Sequence, residues 1–145
     1  MIEGIHFIDI ATHSDERGFF REILRIKDIK IEIGQISHSL VRQGVVKAWH
    51  GHKMQSQLNY VVNGLLSVVL YDNREYSTTK WDKIEFMAGD NQKPSAYIFP
   101  PGVFHGYKCI QGPMNIIYIT SDIYDPEEEM RIENDVIEHN WEQEK

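Results

Sequence analysis

An antiparallel all-β sandwich or barrel is the fold that the sequence predicts, and three observations predict it. Apolar residues fall in short runs rich in Val, Ile, Tyr and Phe, the types that suit a pleated, half-buried surface. Turn residues bound those runs at short intervals. Only one segment reads as helix. In chain order, strands are expected over residues 33–41, 45–50, 58–62, 65–71, 83–87, 96–99 and 114–120. Asn63-Gly64 separates two of them and reads as a tight hairpin. Asp72-Asn73, Gly89-Asp90-Asn91, Pro100-Pro101-Gly102 and Gln111-Gly112-Pro113 mark further turns. The single helix is expected over 126–131, with Asp125 as cap, Pro126 at the first position and Glu127, Glu128 and Glu129 in the first turn. The tail beyond it is polar, but Ile137 and Trp141 give it something to bury.

A chain of 145 residues fits one domain, 1–145. Fifteen Lys and Arg against 22 Asp and Glu leave a net charge of −7. That sign disfavours a nucleic acid or an anionic membrane as partner, since both need a basic footprint. It leaves room for an anionic small molecule held by a few well-placed basic groups. Cys109 is the only cysteine, which excludes an intrachain disulfide and a Cys-rich zinc site and fits a reducing compartment. No apolar run approaches the ~20 residues of a membrane span. The start, Met1-Ile-Glu-Gly-Ile, lacks the features of a signal peptide. A cytoplasmic protein is expected.

The densest chemical signal runs from Gly44 to Gly64 and holds His50, His52 and Gln57. Two histidines spaced by two share one face of a strand. His105 follows Pro100-Pro101-Gly102-Val103-Phe104. The spacing Gly-x5-His-x-His-x4-Gln-x6-Gly resembles the first motif of the cupin superfamily, with Gln57 where Glu is usual. Pro100 to His105 resembles the second motif, with Cys109 in place of its terminal Asn. The implied fold is a cupin barrel, a double-stranded β-helix or jelly roll, with a short C-terminal helix or tail. Two chemistries stay open on such a scaffold. His50, His52, Gln57 and His105 are donors that suit a divalent transition metal. Alternatively the pocket is metal-free and one histidine acts as a base.

A longer resemblance favours the second. Asp15-Glu16-Arg17-Gly18-Phe19-Phe20-Arg21-Glu22 looks like the entry motif of the dTDP-4-dehydrorhamnose 3,5-epimerase family. Gln35-Ile-Ser-His-Ser-Leu, Gly44 to His50, and Gly64 to Arg74 with Ser77 and Trp81 are similar to its next segments. Pro101-Gly102-Val103-Phe104-His105-Gly106-Tyr107 fits its Pro-x-Gly-x-x-His-Gly signature. Asn115 to Tyr124 resembles its late strand, and Glu133-Asn134-Asp135 its tail. The likeness covers nearly the whole chain, in order.

The resemblance implies a cofactor-free isomerase acting on a dTDP-linked 4-keto-6-deoxyhexose, as a homodimer. It places His50 on the catalytic base, Asp135 on the carboxylate paired with it, and Tyr118 on the acid across the sugar. Arg17, Phe20 and Glu22 fall on nucleotide-binding positions that reach into the partner subunit. Gln35, Tyr124 and His105 fall on ligand-contacting or pocket-lining positions. These types suit the chemistry. A proton next to a ketone needs a base of near-neutral pKa, which histidine supplies. A carboxylate fixes the imidazole tautomer. A guanidinium suits a diphosphate, and an aromatic ring suits a nucleobase.

Two positions depart from the family pattern. Lys47 stands where Arg is usual, three residues before His50, so only a bulge would bring both into one pocket. Gln57 stands where the family has a Lys that holds the sugar oxygen, and Lys53 is the nearby alternative. A 3,4-ketoisomerase of the same sugars, with His50 and His52 as its pair, is the second enzymatic reading. A non-catalytic cupin that binds a sugar or a metal is the reading from another class.

Overall fold

Ten strands form among residues 1–133 and 135–143, the residues described in the computed structural model. They are β1 (His6–Asp9), β2 (Thr12–Asp15), β3 (Gly18–Arg21), β4 (Gln35–Val41), β5 (Val46–His52), β6 (Gln57–Asp72), β7 (Lys83–Gly89), β8 (Ser95–Phe99), β9 (Val103–Thr120) and β10 (Glu129–Arg131). β6 and β9, of 16 and 18 residues, pair antiparallel along most of their length and serve both walls of a barrel. Residues 57–63 and 114–120 form one wall with β8, β1 and β4. Residues 65–72 and 103–111 form the other with β7, β5 and β10. This is the jelly-roll barrel that the cupin resemblance implies.

Three expected elements are replaced. Asn63-Gly64 does not close a hairpin: β6 runs straight through it, with register shifts on either side. Gly64 has φ +86°, and a Cβ there would lie 2.8 Å from the Gln111 carbonyl oxygen and the Met114 Cα. The positive φ that a hairpin turn needs is spent on a bulge where the strand crosses between walls. Gln111-Gly112-Pro113 is likewise a bend within β9. The helix over 126–131 is absent. Residues 126–128 make a turn, and β10 follows, pairing with β5 through Glu129↔His52, Met130↔Gly51 and Arg131↔His50. Six residues are too few to hold a helix by local bonds alone, whereas β5 offers an edge that satisfies the backbone. β1, β2 and β3 go beyond the expected strands.

The inner face divides chemically. Leu66, Val68, Leu70, Phe99, Val103, Cys109, Met114 and Ile116 are fully buried in one apolar cluster. Polar positions gather on β4, β5, β9 and the start of β6. Both outer faces are covered by chain termini. Ile10, Ile23, Leu24, Ile29 and Ile33 pack over Leu58, Tyr60, Ile98 and Ile119. Ile137 and Trp141 pack over Trp49, Val69 and Phe104, so the tail docks as its two apolar residues suggest. Hairpin β2–β3 forms a separate two-stranded sheet, with Phe19 61% and Phe20 62% exposed.

At the end of β6 the fully buried Asp72 gathers the loop that follows. Its carboxylate accepts from Arg74 Nε and Nη2, both at 2.9 Å, from the Arg74 N–H, and from the hydroxyls of Ser77 and Thr79 at 2.6 and 2.7 Å. Arg74 also donates to the Glu3 carbonyl at 2.6 Å, which ties the N-terminus to the same knot.

Candidate active site

The inner wall of β5 is shaped by a bulge. Lys47 lies opposite Tyr107 and His50 opposite His105, so a step of three residues on β5 matches a step of two on β9. Regular alternation would send Lys47 and His50 to opposite faces; the extra residue returns both to the inner face. Ala48 and Trp49 crowd the single residue Gly106, where a Cβ would lie 2.8 Å from each. Trp49 is thereby turned outward beneath the tail.

Three imidazoles then meet inside. The His105 ring lies 6.0 Å from both His50 and His52, and 4.6 Å from Phe99. Burial, followed by the nearby His52 and His50, pushes the His105 imidazolium far down, so this ring is neutral. Its Nδ1 is buried without a hydrogen-bond partner among the described residues.

Each of the other two rings has its own carboxylate from the β10 segment. His50 Nδ1 lies 3.2 Å from Glu129 Oε1, which also lies 3.5 Å from Arg131 Nη2. His50 Nε2 has no protein partner among the described residues. His52 Nδ1 lies 2.6 Å from Glu128 Oε1, and Glu128 Oε2 accepts the N–H groups of Met54 and Gln55 at 3.1 and 2.9 Å. Burial works to raise the Glu128 pKa. The bonds from His52 and the two N–H groups outweigh it and hold this carboxyl below its usual range.

From His52 a chain of polar side chains crosses the barrel floor. His52 Nε2 meets Gln57 Oε1 at 2.8 Å, Gln57 Nε2 donates to Asn59 Oδ1 at 2.8 Å, and Asn59 Nδ2 donates to the Tyr97 hydroxyl at 3.1 Å. On the facing strand the Tyr107 and Tyr118 hydroxyls lie 2.8 Å apart. Burial first, then the neighbouring Tyr118, pushes the Tyr107 phenol well above its ordinary value. Tyr107 therefore keeps its proton and can donate it to Tyr118 oxygen.

The sequence-derived residues divide into three groups. His50, His52, Gln57, His105 and Tyr118 come together on the inner wall, with Lys47 at its exposed edge. Gln35 and Tyr124 meet each other: Gln35 Oε1 accepts the Tyr124 N–H at 2.8 Å, and Gln35 lies opposite Thr120, as Gln57 does. Arg17, Phe20 and Glu22 stand apart on the N-terminal hairpin and its exit. Arg17 bonds Asp15 at 2.6 Å, Glu22 bonds Arg25 at 2.8 Å, and neither contacts the histidines.

The expected pairing of Asp135 with His50 is not among the contacts of the described residues. Asp135 is exposed and makes no bond to His50; Glu129 occupies Nδ1 instead. The cause is register, because β10 sets Glu129 and Arg131 across from His52 and His50. Lys53 is also excluded from the inner wall. Its ammonium donates to the Glu127 carbonyl at 3.0 Å on the exposed side. Of the alternative metal-ligand set His50, His52, Gln57 and His105, both His52 nitrogens meet oxygen atoms, of Glu128 and Gln57. No group of three or more His, Cys, Asp or Glu among the described residues is arranged to hold a metal ion.

Sequence reasoning missed Glu128, Glu129, Asn59, Tyr97 and Tyr107 as members of the site. The acidic run at 127–129 was visible, but a helical reading spends those charges on a helix end.

A barrel with two carboxylate-backed histidines and a pair of hydrogen-bonded phenols on its inner wall defines a small-molecule site of the cupin type, equipped for proton transfer. The chain belongs to the dTDP-4-dehydrorhamnose 3,5-epimerase family, whose model matches residues 1–144. It is 40% identical over 148 residues to the spore coat polysaccharide biosynthesis protein SpsL of Bacillus subtilis, covering 97% of each chain. Among solved structures it is similar to a dTDP sugar isomerase from Desulfovibrio desulfuricans, with a TM-score of 0.89 and 27% identity over 97% of this chain and 92% of that one. It is also similar to the dTDP-6-deoxy-D-glucose-3,5-epimerase RmlC of Legionella pneumophila, solved with dTDP-4-keto-L-rhamnose. There the TM-score is 0.82 and the identity 25%, over 90% of this chain and 73% of that one.

Proposed function

We propose that this chain epimerises a dTDP-linked 4-keto-6-deoxyhexose at one or both carbons beside the ketone. The observation that carries the reading is the state of His50: Nδ1 is held by Glu129, while Nε2 has no partner among the described residues. Nε2 removes the proton next to the ketone, and the electron pair of that C–H bond moves into an enolate. Glu129 supports the imidazolium that forms. Tyr118 returns a proton to the opposite face of the same carbon, which inverts it. Tyr107, which keeps its own proton, donates to the Tyr118 oxygen as that proton leaves. Gln35, Lys47, His105 and Tyr124 line the approach, and no step calls for a cofactor.

Incubating the protein with a dTDP-4-keto-6-deoxyhexose in deuterated water tests this. Deuterium is expected at a carbon flanking the ketone, with the ketone still at C4. Absence of exchange removes the reading. A product with its ketone at C3 would replace it with the 3,4-ketoisomerase, a reading favoured by the second carboxylate-backed histidine, His52.

Arg17, Phe20 and Glu22 serve the nucleotide of a neighbouring copy in a homodimer. Support comes from the hairpin, which stands off its own barrel with two exposed phenylalanines and a largely exposed Arg17. Sedimentation at micromolar concentration should give a dimer, and Arg17→Ala should weaken dTDP binding without dissociating it. A monomer that binds dTDP normally would refute this arrangement. The buried, unpaired Cys109 supports a reducing, cytoplasmic setting. No helix among the described residues is long and apolar enough to cross a membrane.

A further inference from the structure

We propose that His52 is a positioning residue that sets the orientation of the Gln57 amide, making Gln57 the hydrogen-bond donor to the sugar oxyanion. The inference deepens the epimerase reading and rests on it.

Both ring nitrogens of His52 face oxygen atoms: Glu128 Oε1 at 2.6 Å and Gln57 Oε1 at 2.8 Å. A ring that meets acceptors on both sides satisfies them by donating from both nitrogens. Glu128 cannot donate in return, because two backbone N–H groups and His52 keep it a carboxylate. With its oxygen held by His52, the Gln57 amide must turn its nitrogen the other way. One N–H of that nitrogen goes to Asn59 Oδ1. The other has no acceptor among the described residues. Gln57 lies on the inner face, opposite Thr120 and one strand position pair from Tyr118.

The arrangement has a mirror image. If His52 offered a lone pair at Nε2, the Gln57 nitrogen would turn to meet it. Asn59 would follow, and the Gln57 carbonyl oxygen would then take the place of the N–H. An enolate oxygen would meet an acceptor where it needs a donor. His52 thus chooses between a donor and an acceptor at one point of the wall without touching the substrate. A donor preset toward developing negative charge is the arrangement that lowers such a barrier. Neither nearby lysine serves this point: Lys53 is bonded to the Glu127 carbonyl on the exposed side, and Lys47 lies at the exposed edge.

His52→Phe keeps a ring and removes both donors. Its kcat for solvent exchange should fall by about 10²–10³-fold, the effect of losing one oxyanion donor, with KM changed little. Adding Gln57→Lys to His52→Phe supplies a donor that needs no orienting and should recover at least about tenfold of that loss. Lys53→Ala is the control and should match the unmodified protein. A His52→Phe protein with unchanged kcat, or a double variant no faster than the single one, would overturn the proposal. Heteronuclear NMR of the histidine ring nitrogens in the ligand-free protein decides the matter independently of activity and of whether the variant folds. His52 should show protons on both nitrogens, and a bare Nε2 would overturn the proposal. If the unmodified protein shows no exchange at all, the epimerase reading fails, while the NMR result still judges the orientation of Gln57.

Discussion

Replacing His50 by alanine should lower solvent deuterium incorporation by about 10²–10⁴-fold, the usual contribution of a catalytic acid or base. Binding of dTDP should be nearly unchanged, because the proposed mechanism sets His50 against the sugar and not the nucleotide. The sharper expectation concerns its partner. Glu129→Gln keeps the shape of the side chain and removes the charge behind Nδ1, so it should forfeit a large part of the same factor. Asp135→Asn should stay close to the unmodified protein, since Asp135 is exposed and unbonded to His50. Rates of exchange for the three variants, measured side by side, check the assignment. Equal damage from Asp135→Asn and Glu129→Gln would mean that the two carboxylates share the role.

Asp72→Ala should be the most destabilising single change in the barrel. It removes the acceptor for Arg74, Ser77 and Thr79 and leaves the guanidinium without its carboxylate. Breaking a buried pair in this way costs about 3–5 kcal/mol, which is a large part of a typical domain's 5–15 kcal/mol. For a chain of this length that corresponds to a fall of roughly 6–20 °C in melting temperature. The same knot predicts an acid dependence. Burial acts to raise the Asp72 pKa, but the bonds from Arg74, Ser77 and Thr79 overcome it and hold the carboxyl well below its ordinary range. A depressed carboxylate contributes its full stability above its unfolded pKa near ~4 and loses it as pH falls below that value. Melting curves should therefore drop steeply below about pH 4 in the unmodified protein and less steeply in Asp72→Asn. Parallel curves for the two would show that the knot carries no such linkage.

The barrel was legible in the sequence because its central strands are rich in Val, Ile, Tyr and Phe and are bounded by turn residues. What escaped the pattern has local causes. Asn63-Gly64 signals a positive φ, and both a hairpin and a bulge use one. Strands β2 and β3 carry polar and exposed side chains, so alternation gave no sign of them. The sequence motifs named His50, His52, His105, Tyr118 and Gln57 as candidates, and the structure brings them to one wall. The motifs could not place the carboxylates, because Glu128 and Glu129 reach the histidines through the pairing of β10 with β5, and cross-strand register leaves no mark in local composition. The bulge that brings Lys47 to the inner face is equally silent in a spacing of three.

Strand β9 carries His105 and Tyr107 before its bend and Tyr118 after it, and the bend folds the ribbon so that two of its own hydroxyls meet at 2.8 Å. That makes the number of residues between Tyr107 and Tyr118 a matter of parity. Gaining or losing one residue at 111–113 would turn the whole second half of the strand over. Tyr118, Ile116 and Met114 would face outward, and Ile117 and Ile119 would fill the site. The loops at 73–82 and 90–94 join strand ends and can lengthen in a lineage without such a penalty. The short bend inside β9 can accept substitutions, but a single-codon insertion or deletion there would turn Tyr118 away from the inner wall while leaving every residue of the candidate site present in the gene.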